Sequence, residues 1–244
     1  MKNFTFNLRP VAVGILLLGS GVTSASTITL NGTDVMFTYD DTLTGLFGTP
    51  TVSGNTLFFT PAAFKAISTN GMGTVLTSSN MNVLVTPNAG VKLSSIGLQE
   101  SGDYSLKGVG STVDVGGELR AFDIGNPFTV QDTAFINTTS PLTSSDNKYH
   151  NWTATANLDL SSAAWQKANA VNFTIENVLE ATTTARFSKA FIDKKFSGIQ
   201  LSVGAIDGIT PPSAVPVPGA LWLFGSGLVG LVGISRRAAP SVAA

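Results

Sequence analysis

The chain lacks cysteine entirely, and it carries a single histidine among its 244 residues. The absence of thiols excludes disulfides and cysteine-based zinc sites, and one imidazole would leave carboxylates to supply most of any metal site. Charged side chains make up only 12% of the chain and the net charge is -1, which argues against a nucleic-acid partner and against a disordered polyanion. An apolar core, with or without bound ions, must therefore stabilise the fold.

Long apolar runs occur only near the two ends of the chain. At the N-terminus, Lys2 and Arg9 precede the apolar run 11–18, and small residues follow it up to Ala25. This layout is typical of a secretory signal peptide, and the run is too short for a spanning helix. We therefore predict that residues 1–25 direct the chain to the Sec export machinery and are cleaved after Ala25.

The C-terminal end has three parts in a fixed order. A Pro-rich linker covers residues 211–218, an uncharged apolar segment covers 219–235, and a basic tail covers 236–244. The prolines hold the linker extended. The apolar segment predicts a membrane helix roughly 25 Å long with its flanks, slightly short of a ~30 Å hydrocarbon core. The positive-inside rule places the tail in the cytoplasm. The predicted anchor residues are Ala220, Leu221, Trp222, Leu223, Phe224, Arg236 and Arg237.

This tail resembles a known sorting signal. The motif Val215-Pro216-Val217-Pro218, followed by the apolar segment and two arginines, resembles the Val-Pro-x-Pro variant of the PEP-CTERM signal. Exosortases recognise that signal in Gram-negative, exopolysaccharide-producing bacteria. Two features depart from the family pattern: Val217 stands where the namesake motif has glutamate, and seven residues follow the arginines. The resemblance implies processing by an exosortase at the inner membrane and delivery to the cell surface or extracellular matrix.

The middle of the chain, residues 26–210, shows an apolar period of two. Apolar residues alternate with threonines on both sides of the hairpin signal Asn31-Gly32. Regularly spaced strand patterns predict an all-β fold, an antiparallel β-sandwich of jelly-roll or Greek-key type. Segments 45–50, 57–61 and 100–104 resemble the bodies of uncharacterised exosortase-sorted proteins, and this resemblance implies a similar fold without identifying an activity. Further predictions are two helical turns over 61–67 and separate strands over 91–100, 104–106, 185–192 and 196–203.

Catalytic and metal-binding patterns are weak in this chain. His150 has no cysteine to partner and no G-x-S-x-G nucleophile elbow accompanies it, so a secreted hydrolase is the least favoured function. Several aspartates fall in predicted turns, where the side chain bonds the local backbone. Two converging loops could instead bind calcium. These aspartates are Asp40, Asp41, Asp103, Asp123, Asp132 and Asp146. We therefore predict no catalytic residue, no cofactor and no metal.

Three aromatic residues near polar loops are candidates for stacking on sugars: Tyr149, Trp152 and Trp165. The alternative is that Trp152 fills the sandwich and Trp165 packs a short turn over 162–167. The sequence thus predicts a non-enzymatic, exported protein of the surface or the exopolysaccharide (biofilm) matrix. Its expected partners are an exosortase and the Sec machinery, with exopolysaccharide as a candidate. A carbohydrate-binding module is the alternative.

Overall fold

The computed structural model describes residues 26–205, which form thirteen strands and three short 3₁₀ turns. The predicted signal peptide, Pro-rich linker, membrane helix and basic tail lie outside the described residues. Within residues 26–205, no helix has both the length and the apolar character needed to cross a membrane.

All strand pairs are antiparallel, and the strands form two sheets. Sheet A has six strands in the order β1 (Thr27–Asn31), β2 (Val35–Asp40), β6 (Gly73–Pro87), β12 (Val171–Thr183), β8 (Ser111–Asp123) and β9 (Gln131–Phe135). Sheet B has the order β10 (Asn137–Thr138), β11 (His150–Asp159), β7 (Val91–Lys107), β13 (Lys189–Ala205), β4 (Thr56–Phe59) and β3 (Thr51–Ser53), and β5 (Lys65–Thr69) pairs with the first part of β13. The all-β prediction is confirmed.

The core lies between the two sheets, and the strands face it with every second residue. In β12, for example, alternate residues from Val171 to Thr183 are buried, and all but two of them are apolar. Phe47 meets the rings of Phe59 and Phe64 edge to face, with centroids 5.5 and 5.6 Å apart. Such contacts add to the stabilisation from burial. The period of two therefore reports the inward face of each sheet.

The hairpin signal at Asn31-Gly32 is confirmed, since β1 and β2 pair and the Gly32 amide donates to the Val35 carbonyl at 2.8 Å. The helical turns predicted over 61–67 are wrong. Residues 62–63 form a bend, and β5 begins at Lys65. Pairing with β13 gives this short segment the hydrogen bonds that two isolated helical turns could not keep in water.

The strand breaks predicted near residues 101–103 and 193–195 are also wrong, because β7 and β13 run through them. Gly102 allows the close approach of the Asp193 carbonyl. A β-bulge lies between Lys194 and Phe196, opposite Gly102 and Ser101. The bulge adds one residue and reverses which side chains face the core. Lys194 and Ser197, an odd number of residues apart, are therefore both buried.

Gly102→Ala is expected to destabilise the fold by about 3 kcal/mol or more, because overpacking against rigid backbone is costly. A methyl group on Gly102 would coincide with the Asp193 carbonyl and lie 2.9 Å from the indole nitrogen of Trp152. Gly116→Ala is the matched control, since nothing lies within 4 Å of the added carbon there. Urea unfolding of both variants measures the difference. Equal stability would contradict the packing described here.

Candidate functional site

A groove crosses the outer face of sheet B, and residues of the four inner strands of that sheet line it. Gly97 and Gly198 face outward on β7 and β13, and the register pairs Gly97 with Gln200 and Gln99 with Gly198. Both strands thus repeat the pattern glycine, core residue, glutamine. Because glycine has no side chain, the sheet surface is depressed between the glutamines, and the depression has a volume of about 520 Å³. We call it the sheet B groove.

Two aromatic rings form one wall of the sheet B groove. The rings of Phe58 on β4 and Phe196 on β13 lie 5.9 Å apart at 45°. Phe58 is directly opposite Gly198 in the strand register, and the Phe196 ring lies against the same glycine. A methyl group on Gly198 would come within 2.8 Å of that ring. The glycine is therefore needed for the rings to lie across the strand, and both rings stay half-buried and half-accessible.

The chemistry of the sheet B groove is neutral and amphipathic. Amides and hydroxyls of β11, β7, β13 and β4 surround the two rings, so hydrogen-bond donors and acceptors sit beside apolar faces. No lining residue is charged. The lining consists of Thr56, Phe58, Gly97, Leu98, Gln99, Thr155, Asn157, Phe196, Gly198 and Gln200. Sites that combine apolar faces with a few polar groups are typical of small-molecule and oligomeric ligands.

The structure does not bring the three predicted aromatic residues together on one surface. Trp152 is only 1% exposed on the inner face of β11, and its indole nitrogen donates to the Asp193 carbonyl at 2.9 Å. Trp165 is buried in a 3₁₀ turn, Trp165–Lys167. These are the packing roles given above as the alternative, and neither ring offers a free face to a sugar. Tyr149 is 66% exposed and meets the edge of Phe191, with ring centroids 5.6 Å apart.

His150 pairs with Asp146, which precedes it in the loop before β11. The Nε2 of His150 lies 2.7 Å from Oδ1 of Asp146, and the Tyr104 ring is 5.5 Å from the imidazole. The hydrogen bond to His150, followed by one from the backbone amide of Lys148, lowers the pKa of Asp146. The pair is partly exposed at the edge of sheet B. This contact closes the turn at residues 146–150, immediately before β11.

The turn aspartates divide into two groups. Asp40 accepts from the Thr42 amide at 2.9 Å and begins a 3₁₀ turn, and Asp123 accepts from the Gly125 amide at 3.0 Å. Asp103 and Asp132 instead lie inside β7 and β9, so the turn prediction is wrong for those two. In the part of the chain that the structure describes, no three His, Asp or Glu side chains are grouped so as to hold a metal ion.

A second polar feature is buried between the two sheets, and we call it the core cluster: Glu100, Asn177, Lys194 and Ser197. All four residues are at most 2% exposed. The Nζ of Lys194 lies 2.6 Å from Oε1 of Glu100, and the Nδ2 of Asn177 donates to Oε2 of the same carboxyl group at 2.6 Å. Ser197 donates to Oε1 at 3.2 Å. One carboxyl group thus joins β7, β13 and β12.

The core cluster is surrounded by apolar side chains. The rings of Phe47 and Phe64 lie 5.4 and 4.9 Å from the Nζ of Lys194. Burial lowers the pKa of Lys194 to about 8, against the opposing attraction of Glu100. Among residues 26–205, the buried Oδ1 of Asn177 has no hydrogen-bond partner, and the short contact between Lys194 and Glu100 is not aligned as a hydrogen bond. An ammonium, a carboxyl group and a carboxamide are therefore in contact away from water.

Sequence reasoning missed both features. The repeated pattern in Gly97-Leu98-Gln99 and Gly198-Ile199-Gln200 was the available signal for the groove. A charged residue at an inward position of the strand pattern, Glu100, was the available signal for the core cluster. Neither signal identifies the partner strand, which only the register supplies.

In comparisons with known proteins, no family model matches the chain, and no curated protein matches it. Solved structures of infectious bursal disease virus share 10–11% identity with it at a TM-score of 0.21. The alignment with the Gt strain structure covers 77% of this chain and 51% of that one, and the alignment with the VP2 subviral particle covers 71% and 48%. The chain spans about half the length of these structures.

Proposed function

We propose that the chain is an exported protein that an exosortase sorts at the inner membrane, with a non-catalytic β-sandwich body that acts at the cell surface or in the exopolysaccharide matrix. The observation that carries the proposal is the order of segments after the body. The last strand within residues 26–205 ends at Ala205, and the Pro-rich motif 215–218, the apolar segment 219–235 and the two arginines follow in sequence. The signal peptide and the jelly-roll or Greek-key description belong to the same proposal.

The test is the C-terminal sequence of the mature protein. In a host with an active exosortase, mass spectrometry should find a mature chain that has lost residues 221–237. In the same host without its exosortase, the full tail should remain in the membrane fraction. Retention of residues 221–237 in the wild-type host would reject sorting and leave a tail-anchored surface protein.

A second candidate function, carbohydrate binding, is favoured by one observation, the neutral sheet B groove. Apolar CH faces of a sugar ring can pack on Phe58 and Phe196 while the amides of Gln99, Gln200 and Asn157 bind its hydroxyl groups. The absence of charge suits a neutral polysaccharide. In this function the sugar would bind in the sheet B groove, and not on Trp152 or Trp165, which are buried.

Phe58→Ala and Gln99→Ala are each expected to weaken binding of neutral polysaccharide by about tenfold, or about 1.4 kcal/mol, because both residues contact the ligand in the groove. Affinity electrophoresis in gels that contain the host exopolysaccharide measures the effect. Phe128→Ala is the control, since Phe128 is 91% exposed away from the groove. Wild-type protein that migrates unretarded would exclude this function and leave the sorting proposal intact.

A further inference from the structure

The core cluster holds a lysine amine and an asparagine carboxamide on the two oxygens of one carboxyl group. Both heteroatom contacts are 2.6 Å long, and they join β7 and β13 of sheet B to β12, one of the two central strands of sheet A. We propose that Lys194 and Asn177 form an intramolecular amide bond across the sandwich, with Glu100 as the catalytic acid and base. The bond would tie β13 to β12 in a chain that contains no cysteine.

The surroundings supply what such a reaction requires. A lysine becomes a nucleophile when it loses a proton, and desolvation in an apolar pocket favours the neutral amine. The Phe47 and Phe64 rings surround Nζ, and burial lowers the pKa of Lys194 to about 8. The same rings keep out water, which would otherwise hydrolyse the carboxamide or the reaction intermediate.

The atoms balance without any further reactant. Glu100 takes one proton from the Lys194 ammonium, and the neutral Nζ attacks Cγ of Asn177. The new Nζ–Cγ bond forms, the Cγ–Nδ2 bond breaks, and Nδ2 leaves as ammonia after it receives a proton through Glu100. Of the three protons on Nζ, one stays on the new amide, one leaves with ammonia and one remains on Glu100. No electrons are transferred, and the core then holds a neutral carboxylic acid and a neutral amide.

A structural ion pair does not account for every feature of the cluster. A buried pair needs well-aligned hydrogen bonds to offset its desolvation. Here Nζ is close to Glu100 without such alignment, and Oδ1 of Asn177 has no partner. The bulge at Lys195 also interrupts the regular β7–β13 register immediately after Lys194. Of the three buried side-chain atoms without a hydrogen-bond partner in residues 26–205, Nζ of Lys194 and Oδ1 of Asn177 belong to the two groups that would react, and Oδ1 of Asn172 does not.

Peptide mapping of the full-length chain, purified and then denatured, tests the proposal. Trypsin should release residues 168–186 joined to residues 190–195, because cleavage after an acylated Lys194 is blocked. The joined species should be lighter than the sum of its parts by one molecule of ammonia. Lys194→Met and Glu100→Gln should each abolish it. Localisation to these peptides separates the cross-link from ammonia loss at Asn31-Gly32.

Two controls and one diagnostic variant complete the test. Lys195→Arg removes the neighbouring exposed amine and keeps the tryptic site, Asn172→Ala removes another asparagine of β12, and both should keep the joined peptides. Asn177→Asp should give a joined species that loses water instead of ammonia and has the same final mass as the wild-type one. Recovery of residues 168–186 and 190–194 as separate peptides from folded wild-type chain overturns the proposal, whatever the variants do.

Discussion

Glu100→Ala is expected to lower the free energy of unfolding by about 3–5 kcal/mol, because it prevents the proposed Lys194–Asn177 bond and leaves the Lys194 ammonium buried without its counter-charge. Both side chains of this pair are fully buried, and the carboxyl group also accepts from Asn177 and Ser197. Urea unfolding of the 26–210 body, followed by the fluorescence of the buried Trp152 and Trp165, measures the change.

Glu118→Ala is the matched control, since it breaks an ion pair with Arg120 of similar length, 2.9 Å, at the surface. These side chains are 30% and 52% exposed, so the expected loss is less than about 1 kcal/mol. The double change Glu100→Gln with Lys194→Met removes both buried charges but also prevents the proposed Lys194–Asn177 bond, so it should recover only the part of the loss that the unpaired ammonium causes. If Glu100→Ala and Glu118→Ala lowered the free energy of unfolding equally, the core cluster would contribute no more to stability than a surface ion pair.

The second large effect is expected in the tail, where substitutions at two pairs of residues should cause different defects. Changing Pro216 and Pro218 to alanine should leave membrane insertion intact and block processing, because the proposed exosortase would lose the extended conformation that it recognises. Changing Arg236 and Arg237 to glutamate should instead disturb topology, because the proposed orientation depends on positive charge at the cytoplasmic end of the apolar segment. Membrane fractionation with mass spectrometry of the C-terminus measures both.

The conservative change of Arg236 and Arg237 to lysine keeps the charge and serves as the control for topology. Normal processing of the proline variant, or normal topology of the glutamate variant, would contradict the assignment of roles within the tail. Neither outcome bears on the fold of the body.

Local patterns were sufficient for the class of fold. Alternation around Asn31-Gly32 predicted the first hairpin because a period of two directly reports one buried face of a strand. The same local patterns gave wrong predictions inside β7 and β13, where they indicated strand breaks. The predicted breaks near residues 101–103 and 193–195 coincide with Gly102 and with the Lys194-Lys195 pair. In the sheet these positions accommodate a close carbonyl and a bulge, and both depend on the partner strand.

The sequence by itself determined that the body is all-β, that its stability does not depend on disulfides, and that a Pro-rich motif, an apolar segment and two arginines follow it in order. These features depend on composition and on neighbours within a few residues. Only the tertiary structure decided that Trp152 is a core residue, that Phe58 and Phe196 share a groove, and that Glu100 meets Asn177 and Lys194. The physical reason is that antiparallel register and sheet packing join residues far apart in the chain, and no local pattern specifies which strands become neighbours.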